Sequence, residues 1–193
     1  MSSIRIVTPP SEEPVTLTEA KLQCRVDISD DDAFITALIT AAREWCEKYD
    51  WRAYVTQTIE YRCDAWPADD YFVLPRPPLQ EINSVKYIDE DGVEFTLDPA
   101  TYQIDPYSEP GGFYLLLNES WPNDPLRAHN AITVNYTAGF GDAADVPVRI
   151  QQAILLLVGH WYENRENSTV GAVNRSIEFG VQALLGIDRA MRF

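Results

Sequence analysis

The sequence of 193 residues predicts an α+β protein: a mainly α-helical body with a central antiparallel β-rich insertion. Apolar residues recur at steps of three and four in the first fifty residues and again after residue 145, which is the helical period. Between Trp51 and Tyr136 the period falls to two and turn residues punctuate the pattern. Hydrophobic residues make up 46% of the chain, enough for a sizeable core. Residues 1–50 and 146–193 are expected to form the helical body and 51–145 the insertion, within a single structural domain.

Residues 1–15 are Pro-rich and read as extended. Thr16-Leu17-Thr18-Glu19 has the spacing of a capping box, in which hydroxyl and carboxylate satisfy each other's backbone N–H, so a short helix should run to about Arg25. Ser29-Asp30-Asp31-Asp32 is a second start signal, because side-chain oxygens cap free N–H groups and carboxylates suit the positive end of the helix dipole. Phe34, Ile35, Leu38, Ile39, Ala42, Trp45, Cys46 and Tyr49 then mark one face of a long helix ending near Asp50.

Val55, Ile59, Tyr61 and Cys63 alternate with polar residues, as in a half-buried strand. Tyr71–Leu74 is a short strand stopped by prolines. Val85–Ile88 and Val93–Thr96 flank Asp89-Glu90-Asp91-Gly92, a hairpin signal, since Asp-Gly supplies the positive φ of tight turns. Short strands should follow near Tyr102–Ile104, Phe113–Leu117 and Ile132–Tyr136. Val146-Pro147 opens a second long helix, with Val148, Ile150, Ala153, Ile154, Leu157, Val158, Trp161 and Tyr162 on its buried side. Residues 165–175 read as a polar loop, and Ile177–Phe193 as an apolar C-terminal helical segment.

The net charge is −15, distributed as −5 over residues 1–50, −11 over 51–145 and +1 over 146–193. A protein that grips DNA by neutralising phosphates would be basic on at least one face, so specific DNA binding is not expected. Cys24, Cys46 and Cys63 are odd in number and widely spaced, which suits reduced thiols in a cytoplasmic setting. No signal peptide is expected from the opening residues, and the most apolar run, Ile154–Val158, is too short to span a bilayer.

Catalytic and metal signatures are weak. His129 and His160 lack metal-ligand spacing. Asp89–Gly92 resembles part of a calcium loop, but Tyr87 stands where an oxygen ligand is needed. Gly139-Phe140-Gly141-Asp142-Ala143-Ala144 matches a dinucleotide fingerprint, yet Asp142 and Asp145 would repel a pyrophosphate, so the stretch reads as a turn whose carboxylates cap the following helix. No catalytic, cofactor-binding or metal residue is nominated, and no cofactor is expected.

Several blocks occur together in one order: Pro14-Val15-Thr16-Leu17-Thr18-Glu19-Ala20-Lys21, then Arg25-Val26-Asp27 and Asp30-Asp31-Asp32; Ala41-Ala42-Arg43-Glu44 and Val55-Thr56-Gln57-Thr58; Leu74-Pro75-Arg76-Pro77-Pro78-Leu79 and Ser84-Val85-Lys86-Tyr87; Tyr136-Thr137-Ala138-Gly139-Phe140-Gly141, Val146-Pro147 and Ile150-Gln151-Gln152-Ala153-Ile154; and Phe179-Gly180-Val181-Gln182-Ala183-Leu184-Leu185. This ordered set resembles the head–tail connector (adaptor, head-completion) family of long-tailed phages, prophages and gene transfer agents. One departure is Gly186-Ile187-Asp188-Arg189, where members carry a proline-containing tail.

The resemblance implies a non-enzymatic adaptor subunit in the virion neck, assembled in the bacterial cytoplasm. It implies a homo-oligomeric ring, usually a dodecamer, beneath the portal protein. The ring extends the DNA channel without binding DNA specifically and docks the next neck protein, a stopper or tail terminator. Ile177, Phe179, Val181, Leu184, Leu185, Ile187, Met191 and Phe193 are expected to form a portal-docking segment. Phe34, Leu38, Trp45, Ile150, Ile154, Leu157 and Trp161 are expected as helix-packing and ring-core residues. Two rivals stand beside this reading: an acidic interaction protein or DNA mimic that binds a host protein, and a carboxylate-based hydrolase.

Overall fold

The computed structural model describes residues 2–164 and 175–186. The chain forms two compact units, one built from the N-terminal strand with Thr56–Gly139, the other from Ser11–Val55 with residues from Phe140 onward. The expectation of a mainly helical body is corrected: among the described residues the structure holds eight strands in two antiparallel sheets and only four α-helices. Two causes account for the difference. The Pro-rich start is a full strand, because the prolines lie beyond its end, and the strand after the Pro75–Pro78 run continues for ten residues.

The first sheet has the order β1-β2-β8-β4-β5, from β1 (Ser2–Thr8), β2 (Gln57–Cys63), β4 (Leu79–Ile88), β5 (Glu94–Thr96) and β8 (Ile132–Ala138). Directly opposed residues share a face, so the register builds rows across the sheet. Ile6, Ile59, Tyr136 and Ile82 form one row, and Ile4, Tyr61, Val134 and Val85 the next. Ser2, Cys63, Ile132, Tyr87 and Phe95 form a third. The central members Ile59, Tyr136, Val134, Val85 and Ile132 are buried. The predicted hairpin forms, with Lys86 opposite Thr96 and Gly92 at φ 85°.

The second sheet, β3-β7-β6, comprises β3 (Tyr71–Val73), β6 (Tyr102–Asp105) and β7 (Gly112–Leu115). Phe72 stacks on Phe113 at 4.9 Å and meets Tyr61 of the first sheet edge-on at 6.2 Å. Trp66 and Trp121 stack at 4.9 Å and extend the aromatic cluster. Gly112 is required here, because a Cβ would run into the Phe72 carbonyl oxygen.

The helical unit contains α1 (Leu17–Cys24), α2 (Asp32–Asp50), α3 (Val148–Glu163) and α4 (Arg175–Leu185). The capping box forms: the Glu19 N–H donates to Thr16 Oγ1 at 3.2 Å, and the Thr16 N–H donates to Glu19 Oε2 at 2.7 Å. Helix α1 ends in a left-handed Arg25, with the Val26 N–H returning to the Lys21 carbonyl. The acidic start of α2 behaves otherwise than expected. Asp31 makes no side-chain cap and instead accepts from the Tyr162 hydroxyl, while Asp32 pairs with Lys21 at 2.6 Å. Ile35, Ile39, Ala42 and Cys46 of α2 pack with Ala20, with Ile150, Ala153, Ile154, Leu157 and Val158 of α3, and with Val181 and Leu185 of α4. Complete burial of each large aliphatic side chain contributes roughly 1.5–3 kcal/mol.

A polar seam runs through this unit. Arg43, Glu47, Asp50 and Arg52 are all buried. Arg43 donates to Glu13 through Nε at 2.7 Å and to Glu47 at 2.9 Å. The other Glu47 oxygen accepts the Tyr54 N–H at 2.9 Å. Asp50 accepts the Tyr54 hydroxyl at 2.8 Å and the Arg52 N–H at 3.2 Å. Burial disfavours the charge on Arg43, but the bond to Glu13 and the charges of Glu47 and Glu13 outweigh it, so its pKa is raised. Burial pushes the Asp50 carboxyl up to about 6, against the lowering effect of its Tyr54 and Arg52 hydrogen bonds.

Two outcomes follow for stability. Replacing Arg43 by Ala strands the buried Glu47 carboxylate and should cost roughly 3–5 kcal/mol, read from urea denaturation; a loss below about 1 kcal/mol would remove the seam from the account of stability. Asp50 acts through pH. Its folded pKa lies above its unfolded one, so between about pH 4 and pH 6 the folded chain keeps a proton that the unfolded chain has released, and stability falls as pH rises through that window. Asp50→Asn removes the dependence. The stability difference should move in the mutant's favour by roughly 3 kcal/mol between pH 4 and pH 7, and parallel pH curves for the two proteins would contradict it.

Candidate interaction surfaces

The loops that tempted a catalytic reading have structural work. Asp89 Oδ1 accepts the Val93 N–H at 2.8 Å and closes the hairpin turn. At the Gly-Phe-Gly stretch, the Gly139 N–H bonds to the Pro78 carbonyl and the Phe140 N–H to the Tyr54 carbonyl. Gly141 sits at φ 136°, and a Cβ there would strike the Asp145 carboxylate. That carboxylate accepts the Asp142 N–H at 3.0 Å and so caps the short 3-10 turn Ala143–Asp145, not the long helix as expected; α3 has Pro147 at its N-cap and no side-chain cap. The Glu12 carboxylate accepts the Ala143 N–H at 2.7 Å, holding the same turn. His160 contacts the Asn164 side-chain amide at 3.1 Å. Among the described residues no three His, Cys, Asp or Glu side chains group to hold a metal ion.

The carboxylate with the largest upward shift, Asp50, is taken up by Tyr54 and Arg52 inside the helical unit. Burial also raises the thiol pKa of Cys46, and pushes that of Cys63 up to about 11, so neither is an activated nucleophile. All three cysteines are free.

The apolar candidates divide by environment. Ile150, Ile154 and Leu157 are buried in the helical core; Leu38, Trp45 and Trp161 are half-buried against it, and Phe34 is exposed. Of the C-terminal set, Val181 and Leu185 are buried in that core and Leu184 packs on it. Ile177 and Phe179 lie in α4, and Ile187, Met191 and Phe193 lie outside the described residues.

Several large apolar side chains remain exposed. On the helical unit these are Leu22, Ile28, Phe34, Leu156 and Val148, the last a correction to its expected place on the buried side of α3, since it stands in the first turn, before the stripe meets the core. On the β unit they are Ile6, Val7, Val93, Phe95, Tyr107 and Leu117. Most of these sit in loops or short strands, where no helical stripe reveals them. Among the described residues no helix is long and apolar enough to cross a membrane.

The same β unit exposes many acidic side chains. Asp69, Asp70, Glu90, Asp91, Glu94, Asp98, Glu109, Glu119 and Asp124 are exposed. The β unit therefore exposes both apolar side chains and many carboxylates, a character suited to contact with other proteins and to repulsion of phosphates.

Comparison with known proteins bears on the whole architecture. A chain in the neck of an empty gene transfer agent (GTA) particle, computed with C6 symmetry, superposes with a TM-score of 0.80 at 24% identity, covering 99% of this chain and 97% of that one. A chain in the virion of a native GTA particle gives a TM-score of 0.78 at 23% identity, over 98% and 96%. A chain in the neck of a native GTA particle, computed with C12 symmetry, gives 0.74 at 24% identity, over 99% and 97%. At these identities the likeness speaks to the fold. No curated protein matches. The model of the head completion protein family matches residues 15–183, most of both units, and on that match the chain belongs to the head completion protein family.

Proposed function

We propose that this chain is a structural head–tail adaptor subunit in the neck of a tailed phage or gene transfer agent particle. The family match over residues 15–183 carries the reading. The fold shared with neck chains over nearly the whole length supports it. Copies assemble as a ring beneath the portal, and the C12 symmetry used for one neighbour's neck suits a ring of twelve. The ring extends the DNA channel and offers its far face to a stopper or tail-terminator protein. Assembly takes place in the bacterial cytoplasm, and the subunit catalyses nothing.

The net charge of −15 supports the channel role. An acidic lumen repels phosphates and denies DNA the counterion-releasing contacts that would hold it in place. A hydrolase would need two converging carboxylates in a cleft, whereas the perturbed Asp50 is buried and already hydrogen-bonded.

Portal docking is assigned to the C-terminal segment. Val181 and Leu185 already belong to the helical core, so removing them would unfold the subunit rather than test docking. The informative truncation ends at Gly186. Its thermal melt should match that of the full chain, and its retention on immobilised portal should drop; equal retention would move the docking site elsewhere.

Electron microscopy of particles from a strain lacking the gene tests the role itself. Separate filled heads and finished tails are the expected outcome. Intact tailed particles would overturn the adaptor reading.

A further inference from the structure

Strand β1 is joined to its sheet on one side, by the ladder to β2 that runs from Ser2 opposite Cys63 to Thr8 opposite Thr58. It buries little there. Only Ile4 is half-buried, and Ile6 and Val7 are 45% and 49% exposed. Backbone hydrogen bonds therefore supply most of what holds the strand, and any copy of the same strand re-forms them in the same register. The other strands, β2-β8-β4-β5, remain a continuous sheet without it.

The chain leaves the β unit at Pro10 and enters the helical unit at Ser11. Just beyond, it is fastened. Glu12 accepts the Ala143 N–H at 2.7 Å. Glu13 accepts from Arg43 Nε at 2.7 Å and from the Thr40 hydroxyl at 2.8 Å. Pro14 and Val15 are buried. Between this anchor and the strand stand Pro9 and Pro10. Their rings fix φ, and each also holds the residue before it in extended backbone, so the connection is short and stiff. The ladder shifts its register between Ile6 and Thr8, beside this hinge.

A lightly buried strand, a short stiff hinge and a fixed anchor together favour exchange of the strand between copies. The contacts on the receiving sheet are identical in either case, and only the path of the hinge differs. The β2 edge has one occupant that the structure shows to fit it, and that occupant is β1.

We infer that in the assembled ring β1 pairs with β2 of the neighbouring copy. Each copy gives its strand to one side and receives one from the other, a heterologous exchange that closes into a ring. This rests on the adaptor reading and assigns the contact that ties its subunits together. Disulfides across the ladder test it in assembled particles. Ser2→Cys faces the native Cys63, in a Cys24→Ser background. Ser3→Cys with Arg62→Cys, in a Cys24→Ser, Cys63→Ser background, offers the adjacent pair, since antiparallel partners alternate between close and wide spacing. Mild oxidation should give a ladder of covalent oligomers on a non-reducing gel, lost on reduction and absent from the Cys24→Ser parent. In particles built from two differently tagged forms, Ser2→Cys with Cys63→Ser should bridge to the form that keeps Cys63. Monomers with an internal bridge would show each strand paired within its own chain and overturn the inference. So would the absence of any bridge from both pairs, since the ladder itself would then be missing. Either result, in joined particles that contain the chain by immunoblot, leaves the adaptor role standing. Joined particles without the chain would remove the role and the inference together.

Discussion

Arg43 is the residue on which the helical unit depends. It lies on α2 between two carboxylates that come from opposite directions along the chain. Glu13 brings in the segment before α1, and Glu47 passes the contact on to the Tyr54 backbone after α2. A guanidinium suits the position because its planar fork donates in several fixed directions at once. Taking these charges out of water is costly, and only the completeness of the hydrogen bonding offsets it. Asp50 and Tyr54 extend the arrangement by one more turn of α2. The apolar faces of α1, α3 and α4 then close around a helix whose two flanking segments are already fastened.

The β unit is organised by different physics. Its three central strands share aligned rows of buried side chains, so the register is determined by which face is apolar. The second sheet is joined to it through aromatic edges and faces, with Phe72 and Phe113 at the centre. Close approach is possible because Gly112 has no side chain beneath the Phe72 carbonyl. The connections around these strands carry most of this unit's exposed acids. Charge and core are thus separated within one unit: rows inward, carboxylates on the loops.

That separation bears on the role of a head completion protein. An adaptor of the kind proposed above must meet protein neighbours and leave passing DNA unbound. Isolated apolar contacts within an acidic surface serve both needs, since protein contacts draw on burial and phosphates are repelled. Asp50, Cys46 and Tyr54, all raised chiefly by burial, lie near one another in the helical unit. Their environment explains a rigid helical unit better than it explains reactivity.

Much was legible in the sequence because the signals are local. The Thr16–Glu19 capping box, the period of α2 and α3, the Asp89–Gly92 hairpin and the alternation of β2 depend on residues within a few positions of each other. The ordered motifs pointed to the family that the comparison supports. Tertiary structure alone decided what depends on distant partners. Strand β1 exists because residues some fifty positions away pair with it, and no local pattern in its Pro-flanked stretch announces that ladder. Arg43, Glu47 and Asp50 look like solvent-facing charges until Glu13 and Tyr54 surround them. The balance between sheet and helix was misread for the same reason: periodicity reports which face of a segment is apolar, while hydrogen bonding between remote segments determines how much of the chain becomes sheet.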